Sequence, residues 1–272
     1  MLISAHLLLN TLLALIMKKL SLLLFTLLLT ISCAQQQQPQ PAKELTFAEK
    51  VEATHQKSSF LNNESMQFDI VIHFGGNEIL NGQVTARTDL SKIRIDLGND
   101  TITYDGTNVY LSPSASSYRG ARFNIFTWTY FLALPFKLTD PGTNWNDTEY
   151  NTLNEVEYVS QKLTFGENVG DSPDDWYIVF ADKEAHQLYA ASYIVTLTTA
   201  VEEAEKDPHA IVYHDYQEFN GVPISTRWTF HNWNTQDDLG EQIGDAALSN
   251  FTFLEVDDAF FEKPEDAKMI GL

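Results

Sequence analysis

Lys92-Ile93-Arg94-Ile95-Asp96-Leu97-Gly98-Asn99-Asp100-Thr101-Ile102-Thr103-Tyr104-Asp105-Gly106-Thr107-Asn108-Val109-Tyr110-Leu111 decides the architecture. Ile93, Ile95 and Leu97 alternate with Lys92, Arg94 and Asp96, the period of two that puts apolar side chains on one face of a strand and charges on the other. Gly98-Asn99-Asp100 leads into a second strand at Thr101–Tyr104, and Asp105-Gly106 turns tightly into a third at Thr107–Leu111. Upstream, Phe68, Ile70, Ile72 and Phe74 keep the same period, and Gly75-Gly76-Asn77 turns the chain into Glu78–Arg87. Five strands joined by such short turns predict an antiparallel meander, because parallel pairs need long crossovers.

Outward from the meander the rhythm changes. In Arg122–Leu138, Phe123, Phe126, Tyr130, Leu134 and Leu138 trace one helical face, while Ile125, Trp128, Phe131 and Leu132 cover much of the rest. A helix apolar on nearly every side must lie against protein on two sides, fill a cavity or meet lipid. Pro135 ends or kinks it, and Asp140-Pro141-Gly142 closes it. Further strands are predicted at 156–166, 175–181, 188–198, 210–219, 224–233 and 247–256, with Asn220-Gly221 as a turn and 234–245 as a loop. An acidic insertion occupies 201–207. Leu45–Leu61 spaces its apolar residues as one short amphipathic helix. The reading is mainly β with a few helices: a single antiparallel sheet of about eleven strands, in one domain over 45–272.

The formal charge is −20, and no acidic residue precedes Glu44. So acidic a body argues against nucleic acid, whose phosphates need a basic face. Residues 1–32 read as a signal peptide, with a start at Met17 also open. Met17-Lys18-Lys19 is the cationic n-region, Leu20–Ile31 the apolar segment, and Ser32 the small residue before Cys33, the only cysteine. This pattern resembles the lipobox of bacterial lipoproteins, with Thr30 where that pattern usually has Leu. The resemblance implies an acylated Cys33 as the first mature residue and membrane attachment through it. Residues 33–44 are then a Gln- and Pro-rich tether. One cysteine also excludes an internal disulfide and any Cys-rich metal site.

Strands, apolar helix, then strands again resemble the LolA/LolB-like superfamily of outer-membrane lipoprotein carriers and receptors. Tyr104-Asp105-Gly106-Thr107-Asn108-Val109-Tyr110 and the helix after it carry the likeness. A closer likeness, to uncharacterised lipoproteins of Bacteroidota, runs through Ile211–Tyr216, Asn220–Trp228 and Asp258–Pro264. The superfamily resemblance implies a curved sheet forming a half-barrel around helices, with acyl chains in its hollow and no catalytic residues. It implies an outer-membrane lipoprotein facing the periplasm that takes a lipid or other apolar small molecule, with no cofactor. A structural or partner-binding envelope lipoprotein, its protein partner unidentified, is the runner-up, and a His-dependent hydrolase comes third.

Within that frame, the ligand contacts are expected at Trp128, Phe131, Phe126, Ile95, Leu97, Trp228 and Phe230. The apolar helix is expected to be a lid, hinged at Pro135 and Asp140-Pro141-Gly142. Catalytic and metal sites find little support. His209, His214, Asp215 and His231 lie near one another, but strict alternation puts His214 on the face of Val212 and Tyr216 and turns Asp215 to the other. No Gly-x-Ser-x-Gly occurs, Ser112–Ser117 reads as a polar loop, and Gly75, Gly76, Gly166 and Gly170 read as turn glycines.

Overall fold

The computed structural model describes residues 11–19, 43–234 and 238–271. Two compact units, Met1–Glu44 and Leu45–Leu272, divide the chain. In the first, residues 11–19 form helix α1. No described helix is long and apolar enough to cross a membrane. Cys33 and most of the expected leader lie outside the described residues.

The second unit opens on α2 (Phe47–Thr54) and α3 (Lys57–Leu61). Thr46 and Glu49 form a reciprocal cap: Thr46 N donates to Glu49 Oε2 at 2.7 Å, and Glu49 N donates to Thr46 Oγ1 at 3.2 Å. One continuous helix was expected; Gln56, in the left-handed conformation at φ 59°, divides it into two.

The strands follow as β1 (Ser65–Phe74), β2 (Asn77–Arg87), β3 (Ile93–Leu97), β4 (Asp100–Tyr104) and β5 (Val109–Ser112). Helix α4 (Ala121–Ala133) interrupts, continuing as a 3-10 turn at Leu134–Phe136 where Pro135 cannot supply an N–H. After it come β6 (Thr143–Trp145), β7 (Glu149–Leu153), β8 (Val156–Phe165), β9 (Tyr177–Asp182) and β10 (Leu188–Tyr193). The acidic insertion forms the short helix α5 (Val201–Ala204), and β11 (His209–Phe219), β12 (Val222–Asn234), β13 (Asp238–Leu254) and β14 (Lys268–Ile270) complete the chain.

All strand pairs are antiparallel, in one open sheet of order β14-β5-β4-β3-β2-β1-β13-β12-β11-β10-β9-β8-β6, with β7 pairing β8. Fourteen strands among the described residues replace the expected eleven. The additions are the short β6, β7 and β14, too brief to show a period. The segment expected as a loop at 234–245 is largely the start of β13, paired with β12 through Trp233–Leu239 and His231–Gln242. The predicted meander is present: β1 through β5 pair in sequence.

The sheet curves around its helices. Phe68, Ile70 and Ile72 of β1, Ile93 and Ile95 of β3, Ile211 and Tyr213 of β11, and Trp228 and Phe230 of β12 form one core with α2, α3 and α4. A smaller cluster of Leu153, Tyr158, Phe180, Val212 and Trp233 lies under the β7–β8 hairpin. Curvature is visible in what α4 touches. Phe126 meets Tyr104 of β4 edge-on at 5.0 Å, and one turn later Tyr130 meets Tyr177 of β9 at 5.6 Å. β4 and β9 sit in opposite limbs of the sheet, so α4 lies across its hollow.

Candidate ligand-binding cleft

The faces of α4 have different fates because its apolar residues wrap the whole helix. Ile125, Trp128, Phe131 and Leu132 are buried on the sheet, whereas Phe126 and Tyr130 are only half-buried. Trp128 packs against Phe74, Phe123 and Phe230, with ring centres 5.6–6.4 Å apart. Its Nε1 donates to Asn124 Oδ1 at 2.7 Å, and the Phe131 carbonyl accepts the Tyr213 hydroxyl at 2.9 Å. These contacts fix that face of the helix to β11 and β12.

The other face looks into a cleft of about 560 Å³. Phe126, Thr127 and Tyr130 form its helical wall; Ile93 and Tyr104 stand on one side, and Phe165 and Tyr177 on the other. Two loops make the rim: Pro141 belongs to one, and Val169 with Asp171 to the other. Gly142 lets these loops close on each other. Its φ is 90°, and a Cβ there would stand 2.5 Å from a methyl of Val169. A volume of this size suits one acyl chain or a comparable apolar body.

The rim is polar and mostly self-paired. Arg122 grips Asp171 with two bonds, Nε to Oδ2 at 2.7 Å and Nη2 to Oδ1 at 2.5 Å, and its Nη1 donates to the Ile270 carbonyl at 3.3 Å. Lys137 pairs with Asp140 at 2.6 Å. Asp175 Oδ1 accepts both the N–H and the hydroxyl of Thr196 at 2.7 Å. Burial nevertheless holds the Asp175 carboxyl above the ordinary range, against the pull of those two bonds. Burial also raises the phenols of Tyr130 and Tyr177 well beyond their usual range, so both stay neutral. The Tyr130 hydroxyl is buried with no hydrogen-bond partner among the described residues.

Among solved structures, a LolA superfamily protein from Nitrosomonas europaea covers 78% of this chain and 97% of its own, at 11% identity and a TM-score of 0.51. This chain has the LolA-like fold. A DUF1329 family protein from Desulfovibrio piger, at 11% identity, covers 78% of this chain and 95% of its own with a TM-score of 0.49. An outer membrane lipoprotein-sorting domain from Vibrio parahaemolyticus, at 10% identity, covers 79% and 97% with a TM-score of 0.44. A profile for a family of unknown function (DUF6503) matches residues 104–238, a stretch that includes α4 and both rim loops. No curated protein matches the chain.

In this LolA-like fold the residues expected to touch ligand separate into two groups. Trp128, Phe131, Trp228, Phe230 and Ile95 are at most 2% exposed and belong to the aromatic and aliphatic core. Phe131 still borders a narrow side pocket with Tyr193 and Leu197. Phe126 walls the cleft, and Leu97 is half-buried beside Gly82, outside it. Tyr130, Phe165 and Tyr177 line the cleft without having been singled out as contacts, and Ile93 joins them from the apolar face of its strand. The signal for Tyr130 was present, since it shares with Phe126 the helical face traced by Phe123 and Leu134. The end of α4 expected to hinge is cross-tied. Asp140 pairs with Lys57 at 3.2 Å, Thr139 N and Oγ1 donate to Glu52 at 2.7 and 2.6 Å, and Trp145 Nε1 donates to the Leu138 carbonyl at 2.9 Å.

Away from the cleft, His214 and His231 meet at one hydroxyl: their Nε2 atoms lie 2.9 and 3.0 Å from Thr229 Oγ1. Nδ1 of His231 faces the Gly240 carbonyl at 3.1 Å. That Nδ1 must carry the ring proton, leaving Nε2 to accept from Thr229 and Thr229 to accept from His214. Asp215 points instead to Arg227 Nε at 2.7 Å. Its φ of 52° also breaks the alternation expected of β11. Tyr213 and Tyr216 both reach the helical side, Tyr216 with its ring 5.4 Å from His55. Among the described residues no group of three or more His, Cys, Asp or Glu is placed to hold a metal ion.

Proposed function

We propose that this chain is an acyl-anchored envelope lipoprotein that holds one apolar ligand, a lipid or a molecule of similar shape, in the cleft beside α4, without catalysis. The observation that carries the reading is the cleft: about 560 Å³ between a fixed helix and both limbs of an open sheet. Burying a chain there is worth about 0.8 kcal/mol for each methylene removed from water. Phe126, Tyr130, Ile93 and Phe165 supply surface that a short chain can cover, and no single polar contact need dominate. Support from likeness comes through the lipobox around Cys33 and the LolA-like fold. Both suit a protein tethered at the periplasmic face of the outer membrane.

In this reading α4 is a fixed partition. Its sheet face and its C-terminal end are tied down, so ligand enters past the rim loops, where Val169 and Gly142 touch. The test is extraction of protein purified from a bacterial host, followed by mass spectrometry of the solvent phase. One acyl species per chain, reduced at least about tenfold by Phe126→Asp, is expected where a charge replaces a half-buried ring on the cleft wall. Protein that carries no lipid and does not bind Nile red when it is added overturns the reading.

A further inference from the structure

The cleft has an apolar wall and a polar end, and the polar end is unbalanced. Two cations line it, Arg122 and Lys137, against three carboxylates, Asp140, Asp171 and Asp175. Each cation already has its own carboxylate, Asp171 for Arg122 and Asp140 for Lys137. Asp175 has no cationic partner among the described residues, and both Thr196 bonds fall on its Oδ1, so neither uses Oδ2. Beside it the buried Tyr130 hydroxyl is also without a partner. A carboxylate and a neutral hydroxyl thus line the same cleft with hydrogen-bonding capacity left over. Natural structures seldom leave a buried polar atom unpaired, because the desolvation goes unreturned.

We propose, resting on the apolar-ligand reading, that the cleft selects amphiphiles with a cationic, hydrogen-bond-donating head, a protonated amine on an apolar chain. An ammonium group has three N–H donors, enough to serve Asp175 Oδ2 and Tyr130 Oη together. A carboxylate head of the same length could accept the Tyr130 hydroxyl, but it would stand against the like charge of Asp175 with no free cation to offset it, or would have to break the bidentate Arg122–Asp171 pair. The whole-chain charge of −20 acts in the same direction, favouring approach of cations.

The test uses three chain-matched probes below their micellar concentrations at neutral pH: dodecylamine, dodecanol and dodecanoate, each displacing Nile red. Dodecylamine should bind at least about tenfold more tightly than dodecanoate, the order of effect when a partly buried charge changes sign, with dodecanol between them. Asp175→Asn keeps an oxygen for Thr196 and removes the charge, so it should bring amine and alcohol to within about threefold and leave dodecanol unchanged. Dodecanoate binding as well as the amine, or an amine preference that survives Asp175→Asn, overturns the selection while leaving the apolar cleft standing. The wild-type ranking decides the matter even if the variant fails to fold. If none of the three displaces Nile red, the cleft reading and this selection fall together.

Discussion

The ring of Tyr130 lies 5.6 Å from that of Tyr177, and this contact bridges α4 to the limb of the sheet that contains β9. One turn earlier Phe126 makes the matching contact with Tyr104 of β4. The two contacts hold the cleft open between limbs that the sheet order places eight strands apart. They also divide α4 into a structural face and a ligand face, and the consequences of that division can be measured.

Trp128→Ala should destabilise the protein by about 3–5 kcal/mol, as large-to-small changes in closed cores do. Phe126→Ala, on the cleft face, should cost about 1 kcal/mol and weaken Nile red binding. Chemical denaturation of the two variants, beside the dye titration, measures both. Equal destabilisation would contradict the division of faces.

Removing the unpaired hydroxyl should help stability. Tyr130→Phe is expected to gain about 1 kcal/mol, since the buried oxygen returns nothing for its desolvation. In a domain of this size that is a rise in Tm of about 2–4 °C. A fall in Tm would show that the hydroxyl has a partner.

His55 is fully buried, accepts the Leu188 N–H on Nε2 at 3.0 Å, and burial lowers its pKa to about 4. The unfolded chain takes up a proton near pH 6.5 and the folded one does not, so stability present above pH 6.5 is lost as the pH falls toward 4. The loss is about 3 kcal/mol from this residue. Comparison of wild type with His55→Asn by urea denaturation across that window should show a flatter dependence in the variant. Parallel profiles would rule out His55 as the source.

How much of this could be read from the sequence depended on the residue. Ile93, Ile95 and Leu97 announce their strand because one side faces the core and the other does not. Arg122–Leu138 announces a helix needing two apolar neighbours, yet periodicity cannot say whether Trp128 or Tyr130 meets the sheet, because both faces are equally apolar. Strand β13 hides its first half. Gly240 and Gly244 carry no side-chain pattern, and Gly244 is needed where a Cβ would come 2.5 Å from the His73 carbonyl. Asp215 conceals the side-chain parity of β11, since nothing local marks its positive φ. Asp175 and Asp171 belong to a loop whose approach to Arg122 is set by the whole sheet.

Cys33→Ser should release the protein from the membrane, because it removes the one residue positioned for acylation after the apolar leader. Cell fractionation measures it. A variant that still sediments with membranes would contradict the anchor.

An apolar chain held between α4 and both limbs of the sheet should be within reach of a photoreactive probe. Photocrosslinking with a fatty alcohol that carries a diazirine at its chain end, followed by peptide mapping of the adducts, locates that chain. Adducts are expected on the segments holding Phe126, Tyr130, Phe165 and Tyr177, suppressed by excess dodecanol. Adducts confined to Tyr158 of β8 and Tyr189 of β10, which stack on each other, or no labelling above that of denatured protein, would rule this placement out.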